Sequence, residues 1–232
     1  MTANWNNTAV VVPVYNCADF LFELLCRTRK LFPAENIFVV NDASEDDSDN
    51  ICLKSGVKLI NFSRNQGKGA ALQTGFRDAL RAGFRFAVSM DGDLQHQPED
   101  IPKLIDARNS CNAALVIGRR DFSIRKMPFP RILSNRITSR IVSGLSGTKI
   151  DDSQSGFRLY DLDVFRLLEF RSKRYQFETE VIFKYSRHGA VITFVDIETI
   201  YDGQPSYISH LRDIRNFLKV VGWELLRKRD MK

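Results

Sequence analysis

Phe86-Ala87-Val88-Ser89-Met90-Asp91-Gly92-Asp93-Leu94-Gln95-His96-Gln97-Pro98-Glu99 is the stretch on which the fold turns. Phe86–Met90 is an apolar run of strand length, the acidic turn that follows is polar, and Pro98 suits the first turn of a helix reaching about Arg108. The same alternation runs outward from this unit. Upstream, Ala9–Val14 reads as a buried strand closed by Pro13 and Asn16. Asp19 can cap a helix that turns Phe22, Leu25 and Leu31 inward. Ile37–Val40 is a second strand, Ser44 and Glu45 open a second helix, Val57–Phe62 is a third strand, and Gly69–Ala82 repeats small and apolar residues at helical spacing. Downstream, Ala114–Ile117 is another buried strand. Strands separated by helices predict an α/β fold: a Rossmann-like, mostly parallel central sheet flanked by helices.

In such sheets ligands bind beyond the C-terminal strand ends. Those ends are Tyr15-Asn16, Asn41-Asp42, Arg64-Asn65, Asp91-Gly92-Asp93 and Gly118-Arg119-Arg120. The second half is less regular, with helices expected at Ile132–Leu145 and Phe177–Arg187 and extended segments at Phe157–Tyr160 and Val191–Val195. Leu211, Ile214, Leu218, Val221 and Leu225 step by three and four, which marks an amphipathic last helix. With no repeat and no low-complexity linker, the expectation is one domain over 1–232. It divides into 8–120, 121–208 and a basic C-terminal helix over 209–232.

The 232 residues are 44% hydrophobic and 27% charged, which excludes wholesale disorder and leaves a sizeable core. No run approaches the ~18 apolar residues of a membrane span, and Met1–Thr8 lacks a signal-peptide pattern. Cys17, Cys26, Cys52 and Cys111 have no metal-type spacing and read as free thiols. The expected setting is therefore cytoplasmic. Of the net charge of +6, one segment from Arg119 to Arg140 holds seven basic residues against Asp121 alone. A second basic cluster runs from Leu211 to Lys232. Such clusters suit an anionic ligand, a membrane surface or nucleic acid, or are simply solvated faces.

Asp91 and Asp93, two apart on an extended segment, point to one side. With the Gln95 carbonyl they are hard oxygen donors suited to Mg²⁺ or Mn²⁺ completed by phosphate oxygens and water. Gly92 permits close approach to the backbone. Asp42, at its strand end, can accept a hydrogen bond from a base, while Glu45 and Asp46 read as helix-terminus charges. Asn65-Gln66-Gly67-Lys68-Gly69 suits a loop under a phosphate or ribose but lacks P-loop spacing.

Val12-Pro13-Val14-Tyr15-Asn16, Asn41-Asp42-Ala43-Ser44-Glu45-Asp46, Asn65-Gln66-Gly67-Lys68-Gly69 and Asp91-Gly92-Asp93-Leu94-Gln95-His96-Gln97-Pro98-Glu99 follow one another in an order and spacing that resembles family 2 glycosyltransferases. Within them the chain looks most like the dolichol- or polyprenyl-phosphate mannosyl- and glucosyltransferase branch. The resemblance covers roughly residues 8–201. It implies a GT-A fold, a nucleotide-sugar donor (GDP- or UDP-linked) and a divalent metal. On the nucleotide side it implies Pro13, Tyr15, Asp42, Lys68, Asp91 and Gly92, and at the metal Asp91, Asp93 and Gln95. Arg120 is the implied phosphate-binding arginine, with Arg131 and Ser155 on the acceptor side; Asp152-Ser153-Gln154-Ser155-Gly156-Phe157 lies near the acceptor. Relatives often carry Glu where this chain has Cys17, and the branch's arginine and lysine are missing around Thr199–Tyr207. No Gln-x-x-Arg-Trp is present, against a processive polysaccharide synthase.

The resulting expectation is inverting transfer, with Asp93, Arg120 and Asp152 as catalytic candidates. The acceptor is a polyprenyl phosphate, which needs little help from a base, or a hydroxyl, which needs one. Asp152 is the candidate base, or only a cap of its turn. Arginines 119–140 would hold an acceptor phosphate. Membrane contact, at the cytoplasmic face, would be peripheral or through a partner protein. A nucleic-acid-binding module predicts aromatics interleaved with the basic residues, of which Phe122 and Phe129 are a poor set, and leaves Asp91 and Asp93 unexplained. A sugar-nucleotide pyrophosphorylase would need a glycine-rich basic loop where the chain has Tyr15-Asn16.

Overall fold

The computed structural model describes residues 1–121, 129–200 and 210–230, apart from the side chains of 129–131, 210–213 and 227–230. Consecutive apolar residues make β1 (Thr8–Val14) a strand covered on both faces. It pairs in parallel with β2 (Ile37–Asn41) on one side and β4 (Phe86–Ser89) on the other, and β3 (Lys58–Asn61) lies outside β2. Beyond β4 come β6 (Arg158–Asp161), β5 (Leu115–Arg119) and β7 (Ile192–Asp196), giving the order β3-β2-β1-β4-β6-β5-β7. Only β6 runs antiparallel. The sheet is mostly parallel, as expected, and strands from both halves of the chain share it.

Alternation along β1 sorts the core into two layers. Val10 and Val12 join Val39 and Val88 under α1 (Ala18–Thr28), α2 (Ser48–Ser55) and α4 (Ile101–Cys111). Ala9 and Val11 join Phe38, Ala87 and Leu115 under α3 (Lys68–Arg81), α5 (Phe129–Ser146) and α7 (Phe177–Arg187). Phe76 of α3 is fully buried, 4.6 Å from the Tyr160 ring and 5.2 Å from Phe165 of the one-turn α6 (Leu162–Phe165). Burying a side chain of that size contributes roughly 1.5–3 kcal/mol. The last helix, α8 (His210–Asp230), reaches this second layer through Val220.

Three local expectations are corrected. The inner face of α1 is Leu21, Leu24, Leu25 and Thr28, and Phe22 is 61% exposed. Asp19 caps nothing. The Ala18 amide donates instead to Asp46, 28 residues away, at 2.8 Å. The second helix starts at Ser48, because Ser44 is engaged with Asn41 and Asn16 at the ends of β2 and β1.

From β1 the chain builds outward to β2 and β3, then returns to the other side of β1 with β4. The sheet therefore switches direction between the ends of β1 and β4, where a crevice forms. The turns there are strained. Asn16, Ala43 and Leu94, which follow β1, β2 and β4, have φ of 52°, 63° and 58°. Such backbone costs on the order of 1–3 kcal/mol per residue and clusters at functional sites.

Candidate active site

Asp91 leaves the end of β4 and meets Lys68, the first residue of α3. Lys68 Nζ lies 2.6 Å from Asp91 and 2.8 Å from Glu178, in the first turn of α7. Burial works against the Asp91 charge, but Lys68, with His96 and Arg120, outweighs it and holds the carboxyl below the usual carboxylate range. The same two carboxylates hold the lysine well above its ordinary value against its burial. Glu178 is pushed up, by burial first. Asp93 has no such partner among the described residues. Burial and the Asp91 charge push it up to about 6, although the Gln95 amide donates to it at 3.0 Å.

Among the described residues no three His, Cys, Asp or Glu side chains assemble for a metal. Two carboxylates, one of them resisting ionisation beside the other, fit a divalent cation that arrives with a diphosphate and completes its shell with phosphate and water oxygens. Asp91 and Asp93, with Gln95 next to them, would hold it.

The glycine loop packs closely on residues 173–174. Gly67 has φ +99°, and a Cβ there would meet Arg174 Cγ and the Lys173 carbonyl at 2.6 Å. The loop is fastened to residues 173–174, where the Ala70 amide donates to the Lys173 carbonyl at 2.9 Å. Asp42 holds the other side of the loop, accepting from the Gln66 and Gly67 amides at 2.6 and 2.7 Å. Its carboxylate is buried, and burial raises its pKa despite those two bonds. Pro13 and Tyr15 are half-buried at the end of β1. Gly92 is buried, and what approaches it is protein: a Cβ there would lie 3.3 Å from Cys17 Sγ and 3.4 Å from Val14. Cys17 thus packs on the turn that carries Asp91 and Asp93. Its thiol is pushed up to about 11 by burial.

The residues expected on the acceptor side, as far as they are described, form a second cluster. Arg120 donates Nε to Asp152 Oδ2 at 2.8 Å and Nη2 to Oδ1 at 2.9 Å. Asn135 of α5 and the Gln154 and Ser155 amides also donate to Oδ1. Asp152 is inaccessible to solvent, and Arg120, with these bonds, holds its carboxyl below the usual range in spite of burial. Ser155 is likewise enclosed, and its hydroxyl has no hydrogen-bond partner among the described residues. Arg119 pairs with Asp151 and Asp196, at 2.8 and 2.7 Å. The Arg131 side chain, Phe122, Arg125, Lys126 and the stretch 201–207 lie outside the described residues.

Four further residues complete the arrangement. The sequence marks Glu178 only as part of the helix expected at Phe177–Arg187. Its signal is the run Phe177–Phe183, buried on every face although it contains two acids. Gly156 backs the lysine cluster, for a Cβ there would lie 2.6 Å from Lys68 Nζ and 2.7 Å from Asp91. Arg158, fully buried, donates to the carbonyls of Ser153, Ser155 and Glu178 at 2.7–2.9 Å and so ties the Asp152 turn to α7. His96 is buried, stacks on Phe157 at 5.3 Å, and is pushed down to about 4, by burial first.

The model of the family described as "Glycosyl transferase family 2" matches residues 9–168. The chain is 31% identical over 204 residues to undecaprenyl-phosphate mannosyltransferase of Micrococcus luteus, covering 81% of this chain and 83% of that one. It is 28% identical to UDP-N-acetylglucosamine–dolichyl-phosphate N-acetylglucosaminyltransferase of Methanococcus voltae, over 83% of this chain and 85% of that one. In fold it resembles glucosyl-3-phosphoglycerate synthase of Mycobacterium tuberculosis, solved with Mn²⁺, UDP and glucosyl-3-phosphoglycerate. That TM-score is 0.67 at 18% identity, covering 95% of this chain and 79% of the other.

Proposed function

The chain belongs to glycosyl transferase family 2 and is a glycosyltransferase of GT-A fold, and on that premise we propose that it moves a hexose from a GDP- or UDP-sugar to the phosphate of a polyprenyl phosphate, with inversion. One observation carries the choice of acceptor. The carboxylate expected as a base, Asp152, is enclosed and already accepts from Arg120, Asn135 and the turn's amides. An acceptor phosphate is anionic at neutral pH and needs no base; a hydroxyl does. The names of the Micrococcus luteus and Methanococcus voltae relatives, which carry undecaprenyl and dolichyl phosphate, support the same acceptor.

In the transfer, the bond between the sugar's anomeric carbon and the donor's terminal phosphate oxygen breaks. Its electron pair leaves on the nucleoside diphosphate. An oxygen of the acceptor phosphate supplies the pair for the new bond on the opposite face, and no proton has to move. A divalent cation, Mg²⁺ or Mn²⁺, supplies positive charge beside the leaving diphosphate when bound; Mn²⁺ in the Mycobacterium tuberculosis synthase supports this. Lys68, fixed between Asp91 and Glu178, places a cation at the same turn. Arg120, fixed by Asp152, sets positive charge on the acceptor side without reorganising during the reaction. Asp152 is thus a positioning residue. Asp42, which closes the loop 65–69 against the end of β2, shapes the nucleotide side together with Pro13, Tyr15 and Gly92. Residues 8–120 hold the donor and 121–208 the acceptor within one domain.

No helix among the described residues is long and apolar enough to cross a membrane. We place the reaction at the cytoplasmic face, reached by peripheral contact or through a membrane partner. The test is a transfer screen over UDP- and GDP-sugars with Mg²⁺ or Mn²⁺, with and without a short polyprenyl phosphate. A product that forms only with the lipid phosphate and only with metal supports the reading. Transfer to hydroxyl acceptors alone contradicts it.

A further inference from the structure

The second half of the chain reaches back to the donor side at a place that no motif marks. Arg171-Ser172-Lys173-Arg174-Tyr175-Gln176, just before α7, carries three basic residues and no acid. Its backbone is fixed from two helices. Buried Glu180 of α7 accepts from the Arg171 and Ser172 amides at 2.8–3.1 Å. From α3, Gln73 donates to the Ser172 carbonyl at 2.8 Å and the Ala70 amide to the Lys173 carbonyl at 2.9 Å. Gly69 leaves room for this approach, since a Cβ there would lie 2.6 Å from Phe177 and 2.7 Å from the Arg174 carbonyl. So held, two consecutive side chains straddle the loop 65–69. The Arg174 stem crosses Gly67, whose amide donates to Asp42 at 2.7 Å, and the arginine's charge reaches that carboxylate. On the other side the Tyr175 ring, 37% exposed, lies 5.9 Å from Lys68 Nζ.

Charge decides what this position can do. Lys68 pairs with both Asp91 and Glu178, and Asp93 adds a third carboxylate, so a divalent ion there would largely balance the protein's own acids. Arg120 is paired with Asp152, and Arg119 with Asp151 and Asp196. Arg174, half-buried, forms no ion pair among the described residues. Its fork of N–H donors and its charge are there for an arriving anion. We propose that Arg174 is a donor-binding residue, supplied by the second half of the chain, whose guanidinium pairs with the phosphate charge of the nucleoside diphosphate at the loop 65–69. This rests on the nucleotide-sugar reading above and gives the donor site a contact from beyond residue 120. A guanidinium can hold two phosphate oxygens at once, and a backbone already fixed on both sides lowers the entropy lost when it does so.

The test is calorimetric titration of GDP and of UDP, each with Mg²⁺, into the wild type, Arg174→Gln and Arg174→Lys, at low and high salt. Thermal midpoints report folding, and the acceptor KM reports the other half of the site. Arg174→Gln should bind the diphosphate that the wild type prefers about tenfold more weakly, the scale of a charge-assisted hydrogen bond. Its salt dependence should be shallower, because one screened attraction is gone. Arg174→Lys should recover part of the loss, with the midpoint and the acceptor KM unchanged in both variants. Equal affinity in the wild type and folded Arg174→Gln overturns the proposal and leaves the donor reading standing. A loss that comes with a lowered midpoint and is as large in Arg174→Lys also overturns it, and makes the segment only a buttress of the loop. No binding of either diphosphate by the wild type removes the donor reading and this contact with it.

Discussion

Arg120 and Asp152 form a two-pronged pair, Nε to Oδ2 at 2.8 Å and Nη2 to Oδ1 at 2.9 Å, around a carboxylate that solvent does not reach. The pair decides between two chemistries. A carboxylate that serves as a base must be open to a hydroxyl and free to take its proton. This one is closed, and its partners favour the ionised form. On the proposed reading, its effect passes through the arginine.

Asp152→Asn is therefore expected to reduce transfer about tenfold, or about 1.4 kcal/mol. The loss falls on the acceptor KM, and the pH profile stays that of the wild type. Steady-state kinetics from pH 6 to 9 check this. Loss of a basic limb in the profile together with a thousandfold fall in kcat would show Asp152 to be a base.

The lysine cluster makes a prediction in which stability and activity part. In Lys68→Met, Asp91 and Glu178 face each other without a cation, at a cost on the order of 3 kcal/mol in stability. Transfer should fall at least a hundredfold, or about 2.7 kcal/mol. The double variant Lys68→Met/Glu178→Met should recover most of the stability and none of the activity. Denaturant midpoints and transfer rates measure the two separately; recovery of activity in the double variant would mean that Lys68 only balances charge.

Gly156→Ala adds a methyl where Lys68 Nζ and Asp91 already lie 2.6 and 2.7 Å from its position. The flexible ends of those side chains can move aside, so the fold should lose less than about 1.5 kcal/mol. The ion pair should open, and transfer should fall at least tenfold. Equal rates in the variant and the wild type would place the cluster outside the reaction.

His96 gives a pH dependence. Its folded pKa of about 4 lies below the ordinary 6.5, so between those values the unfolded chain binds the proton and the native state does not. Stability from this group is full above about 6.5 and is lost as pH falls toward 4, by about 3 kcal/mol in all. Asp93, raised to about 6, tilts the opposite way in part of that window, so the informative quantity is a difference. His96→Phe, which can keep the stack on Phe157, should remove the histidine's share of the slope. Urea midpoints of both proteins at pH 4.5 and 7 check it, and parallel slopes would contradict it.

Particular residues show what a sequence reveals of such a site and why the rest stays hidden. Short valine-rich runs, polar strand ends and the Asp91–Asp93 spacing are local signals, and they locate β1, β2, β4 and the crevice between them. The partners of those residues are not local. Lys68 meets Glu178 across 110 positions and Asp152 meets Arg120 across 32, so spacing carries no trace of either. Two motifs also changed meaning once packed. The glycines of the 65–69 loop make room for Lys173 and Arg174, and Asp42 accepts from two amides of that loop. The basic run from Arg119 to Arg140 divides by helical phase, because Asn135 faces the site while Arg136 and Arg140 face outward.

The claim that the acceptor is a phosphate is tested most directly by one comparison. The protein, a nucleotide-sugar donor and metal are given a short polyprenyl phosphate or the matching polyprenol, and the products are identified by mass spectrometry. The account predicts a polyprenyl phosphate–sugar diester from the first and no product from the second, with the diester lost in Arg120→Ala. Glycosylation of the polyprenol hydroxyl, with the phosphate left untouched, would contradict it.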